Sequence, residues 1–277
     1  MNRIKMIGLD LDGTLLNEKK ELTDHTRKVL EEAIRQGTVV VVATGRPVTG
    51  VPKELLEFPG MRYVLTSNGG RILDQKENRL LYDCPVPYET GVRILKIFED
   101  YDTLKEIYFD GRGYVRQEEL LRVERYITNP AMAEYIRSTR RGIPDLWEKM
   151  REMEGHGLDK VHGLFADLKE REEAAKRIEE LGNLEITASL GRNLEINAPG
   201  VDKGKGLLRL GEILGIRREE IMACGDGGND LAMIRAAGLG VAMANAAEDV
   251  RQAADYITLS NEEEGVARAI EKFVLHR

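Results

Sequence analysis

The sequence predicts an α/β fold: a doubly wound, Rossmann-like parallel sheet built from both ends of the chain, with an α+β domain inserted between them. Three observations carry this. The first 70 residues alternate β-branched apolar runs with amphipathic stretches, the β-α-β order of a parallel sheet with right-handed crossovers. From residue 203 onward the same alternation returns. The stretch between them mixes hairpins and helices instead.

Residues 4–11 read as a buried strand. "TDHTRKVLEEAIRQG" (23–37) reads as a helix, with Thr23 as N-cap, Val29, Leu30, Ala33 and Ile34 at helical spacing, and Gly37 at the stop. "TVVVVAT" (38–44) suits a strand covered on both faces. "RPVTGVPKELLEF" should hold a short helix, and "RYVLTSN" (62–68) is a third strand. "RILDQKENRLLYDCPV" predicts a hairpin with a Lys-Glu-Asn turn, 88–99 a helix, and 105–117 two strands around a Gly-Arg-Gly turn. Residues 118–154 read as mainly helical, followed by a strand at 159–167, a helix near 169–181, and strands at 184–189 and 193–198. The C-terminal part reads as helix 203–215, strand 220–226, helix 230–237, strand 238–243, a short helix near 247–253, strand 256–260 and a last helix near 263–274. The expected domains are therefore 1–83 and 191–277 for the core and 84–190 for the insert, since exposed loops tolerate inserted domains.

Composition narrows the function classes. Of 277 residues, 42% are apolar and 32% charged, with a net charge of −7. This is ordinary globular composition without the basic excess of a nucleic-acid surface. No apolar run approaches the roughly 20 residues of a membrane span. The start, "MNRIKMIGLDLDG", has its apolar run cut by Asp10, unlike a signal peptide. Cys84 and Cys224 are isolated and lack metal-type spacing. A cytoplasmic location is expected, because unpaired thiols suit a reducing compartment.

In an open parallel sheet, ligands gather at the carboxyl ends of the strands. Asp10, Asp12, Gly13 and Thr14 fall there, as do Thr44, Gly45 and Arg46, then Ser67, Asn68 and Gly69, then Asp226, Gly227, Gly228, Asn229 and Asp230, while Lys203 opens a helix in "VDKGKG". Asp10 and Asp12 are two residues apart, so extended backbone would put both on one face. Hard carboxylate oxygens from Asp10, Asp12 and Asp226 suit Mg²⁺. One carboxylate can attack phosphorus and a second can move the protons. Lys203 supplies positive charge, and Thr44, the Gly45 amide and Asn229 supply donors for phosphate oxygens. Each of these short stretches alone is ordinary turn or surface chemistry. Their placement on one edge is what points to a phosphate ester.

The stretches "DLDGTL" (10–15), "TSNGG" (66–70), "ATGR" (43–46), "VDKGKG" (201–206), "GDGGNDLAM" (225–233) and "GVAMANAAEDVRQAADYITLSNEEEGVARAI" (240–270) resemble the haloacid dehalogenase superfamily of phosphatases. The match is to the Cof-like subfamily with a large α+β cap. The resemblance covers both ends of the chain; the middle matches in length and pattern. It implies that Asp10 is the nucleophile and a metal ligand, and that Asp12 is the general acid/base and a metal ligand through its carbonyl. It further implies that Asp226 is the third ligand, and that Leu11, Thr44, Gly45, Lys203 and Asn229 hold phosphate. Asp230 would orient metal-bound water, and Arg46 is a supporting residue. Gly228 stands where many relatives carry an acid. The insert would close over the sheet edge and select the substrate.

The expected partner is a small phosphorylated metabolite. Sugar phosphates are favoured; flavin mononucleotide and pyridoxal phosphate are the alternatives. A phosphomutase, a phospho-accepting signalling domain and a binding module without turnover are the rival functions. In the insert, Arg112, Tyr114, Arg116, His156, His162 and Trp147 are weaker candidates. Trp147 reads as helix packing, His162 as a satisfied strand histidine, Cys224 as a small strand residue, and "NEEEG" (261–265) as a solvated helix start.

Overall fold

A computed structural model describes residues 3–188 and 191–277. The chain divides into two compact units: one holds everything up to Gly45, Pro52–Tyr82 and Asp202–Arg277, and the other holds Arg46–Val51 and Asp83–Val201. Among the described residues no helix is long and apolar enough to cross a membrane.

The strands, in chain order, are β1 (Met6–Leu9), β2 (Val39–Ala43), β3 (Tyr63–Thr66), β4 (Arg71–Asp74), β5 (Arg79–Asp83), β6 (Thr103–Phe109), β7 (Arg112–Arg116), β8 (Arg141–Ile143), β9 (Lys160–Phe165), β10 (Glu185–Thr187), β11 (Asn193–Asn197), β12 (Ile221–Gly225), β13 (Leu239–Ala242) and β14 (Tyr256–Ile257). Among the described residues the first unit carries an eight-stranded sheet in the order β14-β13-β12-β1-β2-β3-β4-β5. The pairs from β14 to β3 are parallel, and β4 turns antiparallel to β3. Successive strands march one way from β1 to β3 and the other way from β12 to β14. The direction of winding thus reverses between β1 and β12, the point where such sheets open a crevice at their carboxyl ends. Met6, Ile7, Leu9, Val40, Val41, Val42, Ile221, Met222 and Ala223 are fully buried, which is why these strands read as unbroken apolar runs. The helix Asp24–Arg35 starts where expected, with the Thr23 hydroxyl accepting from the Thr26 amide at 3.2 Å.

The second unit is built on a six-stranded sheet in the order β10-β11-β9-β6-β7-β8. Alternation along its strands separates two faces. Ile107, Phe109, Val161, Phe165, Leu194 and Ile196 pack against Ile94, Phe98, Ala174 and Ile178 of the helices Tyr88–Glu99 and Leu168–Glu179. The opposite face carries Glu106, Tyr108, Lys160, His162 and Glu195, all buried. Glu106 lies opposite His162 and His162 opposite Glu195 in the strand register. Glu106 accepts from Arg140 Nε at 3.1 Å, pairs with His162 Nδ1 at 2.7 Å and accepts from the Tyr108 hydroxyl. His162 Nε2 meets Asn193 Nδ2 at 3.1 Å, and Lys160 Nζ donates to Glu195 at 2.6 Å. Both nitrogens of His162 therefore have partners. Burial pushes the Glu106 carboxyl up, yet Arg140 and His162 outweigh it and hold the group well below the usual carboxylate range.

Several expectations shift. β11 belongs to the second sheet, because it pairs antiparallel with β9 and β10; the second unit therefore runs to Val201 rather than ending near 190. Residues 189 and 190, where strand 184–189 and the expected boundary end, lie outside the described residues. The β6–β7 turn is Asp110-Gly111, with φ of 49° and 73°, the paired positive values of a tight two-residue hairpin. Arg112 already begins β7. β8 sits inside the stretch read as helical and pairs parallel with β7. Trp147 packs against the apolar core of the second unit, as expected, with its indole N–H donating to Glu99.

Replacing Arg140 by Met leaves the Glu106 carboxylate buried with less positive charge. Stability should fall by about 3 kcal/mol, read as a lower urea midpoint in the fluorescence of Trp147, the chain's one tryptophan.

Candidate active site

Asp10 is the first residue past β1. Its amide donates to the Cys224 carbonyl at 3.1 Å, so the turn after β1 stays tied to β12. Asp226 is the first residue past β12. These two acids emerge side by side where the winding reverses. Gly13, with φ of 82°, turns the chain beside them; a Cβ there would lie 2.4 Å from an Asp226 carboxylate oxygen. Only glycine fits both the backbone and the space.

Lys203 reaches the same point from the helix Lys203–Leu214, whose N-cap Asp202 accepts from the Lys205 amide at 2.7 Å. The glycines of "VDKGKG" let this helix sit deep. A Cβ on Gly204 would lie 2.5 Å from the Ala232 carbonyl, and one on Gly206 would lie 2.7 Å from Leu65 and 2.8 Å from Gly69. The first helical side chain is thereby delivered into the crevice. Lys203 is fully buried and donates to Asp10 Oδ1 and Asp230 Oδ1, each at 2.6 Å. The other oxygen of Asp230 accepts from the amides of Asp226 and Gly227 at 3.0 and 2.9 Å. Asp226 accepts from the Thr14 hydroxyl at 2.7 Å.

Asp10, Asp226 and Asp230 each present a carboxylate oxygen within 4.8 Å of the others. Burial, reinforced by Asp230, pushes the Asp10 pKa up to about 8 despite Lys203. Burial likewise pushes Asp226 up to about 6, with the Thr14 hydrogen bond opposing. Burial works against the Lys203 ammonium, but Asp10 and Asp230 prevail and raise its pKa. Three carboxylates against one ammonium leave the cluster short of positive charge. An all-oxygen donor set of this kind fits a hard divalent cation.

Asp12 is not in this cluster. β1 stops at Leu9, so the extended backbone ends before either acid, yet Asp12 remains near enough to push the Asp10 and Asp226 carboxyls further up. Asp12 is half-buried, and its Oδ1 accepts from Lys20 Nζ at 2.6 Å. Leu11 is buried between the two acids. Thr44 and Gly45 follow β2. The Thr44 amide donates to the Leu65 carbonyl at 2.9 Å, and the Thr44 carbonyl accepts from Asn68 at 3.1 Å. Ser67 and Asn68 are both left-handed, with φ of 52° and 57°, and Asn229 Nδ2 donates to Asn68 Oδ1 at 3.4 Å. The turns after β2, β3 and β12 are thus laced together through Thr44, Asn68 and Asn229. Arg46 lies in the second unit, where its guanidinium stacks 4.2 Å over the Tyr135 ring and donates to the Gly50 carbonyl at 2.9 Å. Cys224 is buried, its thiol pushed up to about 12 by burial alone, an inert strand residue.

Two roles were not assigned from sequence: Thr14 on Asp226, and Asn68 between Thr44 and Asn229. Both sit inside stretches singled out above, "DLDGTL" and "TSNGG", so the signal was the motif rather than the residue. Asp230, expected as a support, is a full member of the carboxylate cluster.

The family model for haloacid dehalogenase-like hydrolases matches residues 7–270. The chain belongs to this family. This HAD hydrolase, of the Cof-like type, is a phosphatase, and it acts on small phosphorylated substrates. It is 34% identical over 273 residues to the 5-amino-6-(5-phospho-D-ribitylamino)uracil phosphatase YcsE of Bacillus subtilis, spanning 98% of this chain and 96% of that one. It is also 34% identical to phosphatase YwpJ of the same organism, over 95% of this chain and 98% of the relative. Among solved structures, a haloacid dehalogenase-like hydrolase from B. subtilis superposes with a TM-score of 0.87 at 33% identity, covering 98% of this chain and 100% of that one. The HAD subclass IIB sugar phosphatase BT4131 superposes with a TM-score of 0.81 at 26% identity, over 97% and 98% of the two chains. Hydrolases of this family generally use a metal ion, in keeping with the carboxylate cluster.

Without a cation, folded Asp10 keeps its proton up to about 8, whereas the ordinary value is 3.8. Between these values Asp10 makes the folded state bind more protons than the unfolded one, so its contribution to stability falls as pH rises. Thermal melts in chelator should therefore show a fall from pH 5 to pH 8 that is shallower in Asp10→Asn and is reversed at pH 8 by a divalent cation.

Proposed function

We propose that this phosphatase hydrolyses sugar phosphates and related phosphorylated polyol chains in a Mg²⁺-dependent reaction through an aspartyl-phosphate on Asp10. The observation that carries the reading is the buried Asp10 carboxylate, held by Lys203 beside Asp226 and Asp230. The substrate class rests on two relatives. One is named for a phosphoribityl compound and the other as a sugar phosphatase; both names describe a phosphate on a polyhydroxylated chain.

Asp10, Asp226 and the Asp12 carbonyl would hold Mg²⁺, with Asp230 beside them. When bound, the ion offsets the crowded carboxylates and the charge of the phosphate oxygens. Lys203, Thr44, Asn229 and the amides of Leu11 and Gly45 hold the phosphoryl group as its charge spreads over the equatorial oxygens. An Asp10 oxygen attacks phosphorus, and the bond to the leaving oxygen breaks. Asp12 gives that oxygen a proton, releasing the alcohol. Asp12 then takes a proton from water, the water oxygen attacks phosphorus, and the Asp10–phosphorus bond breaks to release phosphate. The position of Asp12 supports this division of labour: it stands two residues from the nucleophile, outside the carboxylate cluster and half-open to solvent, as a proton-exchanging group requires.

Phosphate release from a panel of sugar phosphates, a ribityl phosphate, flavin mononucleotide and pyridoxal phosphate tests the reading. Turnover should require Mg²⁺, stop in chelator, and fall at least about 10⁴-fold in Asp10→Asn. Undiminished release by folded Asp10→Asn would overturn the nucleophile. Transfer to a second sugar in place of release would identify a mutase, and a long-lived phosphoenzyme would identify a signalling protein.

A further inference from the structure

The stretch 240–270, which the chemistry above leaves without a role, makes its own approach to the active-site turn. The turn Asp10–Leu16 is irregular. Internally, the Asp10 carbonyl accepts from Leu15 at 3.2 Å and the Leu11 carbonyl from Leu16 at 2.9 Å. The Gly13 and Leu16 carbonyls are capped from outside by two side-chain amides. Asn245 Nδ2 donates to the Gly13 carbonyl at 2.8 Å, and Asn261 Nδ2 donates to the Leu16 carbonyl at 3.0 Å. The two asparagines are joined, because Asn245 Oδ1 accepts from the Asn261 amide at 3.1 Å. The loop bearing Asn245 is itself fixed to the cluster: the Met243 amide donates to Gly225 at 3.1 Å, and the Ala247 amide donates to Asp226 at 2.9 Å.

The "NEEEG" stretch starts the last helix with Glu262 and Glu263 exposed, as expected, and two of its acids also extend the same clasp. Glu262 Oε1 accepts from the Glu18 amide at 2.6 Å, and Glu264 Oε1 accepts from the Thr23 hydroxyl at 2.7 Å. Glu264 adopts a left-handed backbone, with φ of 61°, at the start of the last helix. The 243–264 segment therefore grips the chain from Gly13 to Thr23 at four points. The first of these points is the residue directly after Asp12, and the Lys20 ammonium that donates to the Asp12 carboxylate lies within the gripped stretch.

We propose that Asn245 and Asn261 are positioning residues for the phosphatase reaction. By capping the Gly13 and Leu16 carbonyls they hold the turn, and with it Asp12, at the angle from which Asp12 protonates the leaving oxygen. This rests on the reading of Asp12 as the general acid. Side-chain amides suit this role, since each offers a donor for a carbonyl, and Asn245 also offers an acceptor that locks it to its partner. A small displacement of an acid costs most where the leaving group needs the proton most.

The test compares two substrates, an alkyl phosphate with a poor leaving group, such as ribose 5-phosphate, and p-nitrophenyl phosphate, whose leaving group departs without protonation. Asn245→Ala should lower kcat/KM, which reports the steps up to departure of the leaving group and not the later attack of water common to both substrates, by about tenfold more for the alkyl phosphate than for p-nitrophenyl phosphate. Asn261→Ala should shift in the same direction, and the double variant should lose less than the product of the two. Asp12→Asn is the control and should show the same leaving-group selectivity in stronger form. If Asp12→Asn is selective and folded Asn245→Ala and Asn261→Ala lose equally on both substrates, or lose nothing, the positioning role is overturned. If Asp12→Asn itself is unselective, the acid assignment fails, and the positioning role with it. Should Asn245→Ala not fold, Asn261→Ala decides alone.

Discussion

Lys203 sits between Asp10 and Asp230 with no exposure to solvent, and the first unit is arranged around that contact. A buried ammonium costs several kcal/mol unless carboxylates surround it, and buried carboxylates cost as much without a cation. Each group makes the other tolerable. The helix that supplies the lysine must start at the crevice and lie close to its neighbours, which the glycines two and four before Leu208 permit. The strands that supply the acids must be adjacent, which the β1–β12 pairing achieves across more than 200 residues of chain. The site is thus a product of long-range pairing, with little of it contained in any one segment.

The balance of charge explains why this crevice suits phosphoryl chemistry. One ammonium neutralises only part of three carboxylates, and burial magnifies what is left, so Asp10 and Asp226 are both pushed upward in pKa. A cluster left in that state favours whatever brings positive charge. A divalent cation held by these acids would supply it and favour the ionised carboxylates. Asp12, by contrast, adds only a minor push to these two acids and pairs with the exposed Lys20. Two acids two residues apart in sequence thereby come to occupy different electrostatic environments, the condition for giving them different roles.

The second unit solves a different problem with similar means. One face of its sheet is apolar and covered by helices. The other carries Glu106, His162, Glu195 and Lys160 in facing register, with Arg140 completing the network. Buried ion pairs of this kind add little net stability but are costly to break. They favour one register over a slipped one, because a one-residue shift would bury these charges in the apolar face. Arg46 joins this unit through its stack on Tyr135, although it directly follows the Thr44-Gly45 turn of the first.

The doubly wound core, the helix caps, the insert and the edge on which function gathers were all legible in the amino-acid order. They are written in local periodicity and in the residue types at strand ends, which act over a few residues. That Asp10, Lys203 and Asp226 would meet was legible too, because a set of motifs in one order is more informative than any member. Folding had to place Asp230 in the cluster and leave the Asp12 side chain out, since the end of β1 and the turn at Gly13 depend on packing against Asp226. It likewise assigned β11 to the second sheet, because a short alternating strand carries no label for its partner. Contacts in space also brought Asn245, Asn261 and the 262–264 acids back to the first turn. The carbonyls that the two asparagines cap lie 232 and 245 residues earlier, and hydrogen bonds between irregular loops leave no period in sequence to read.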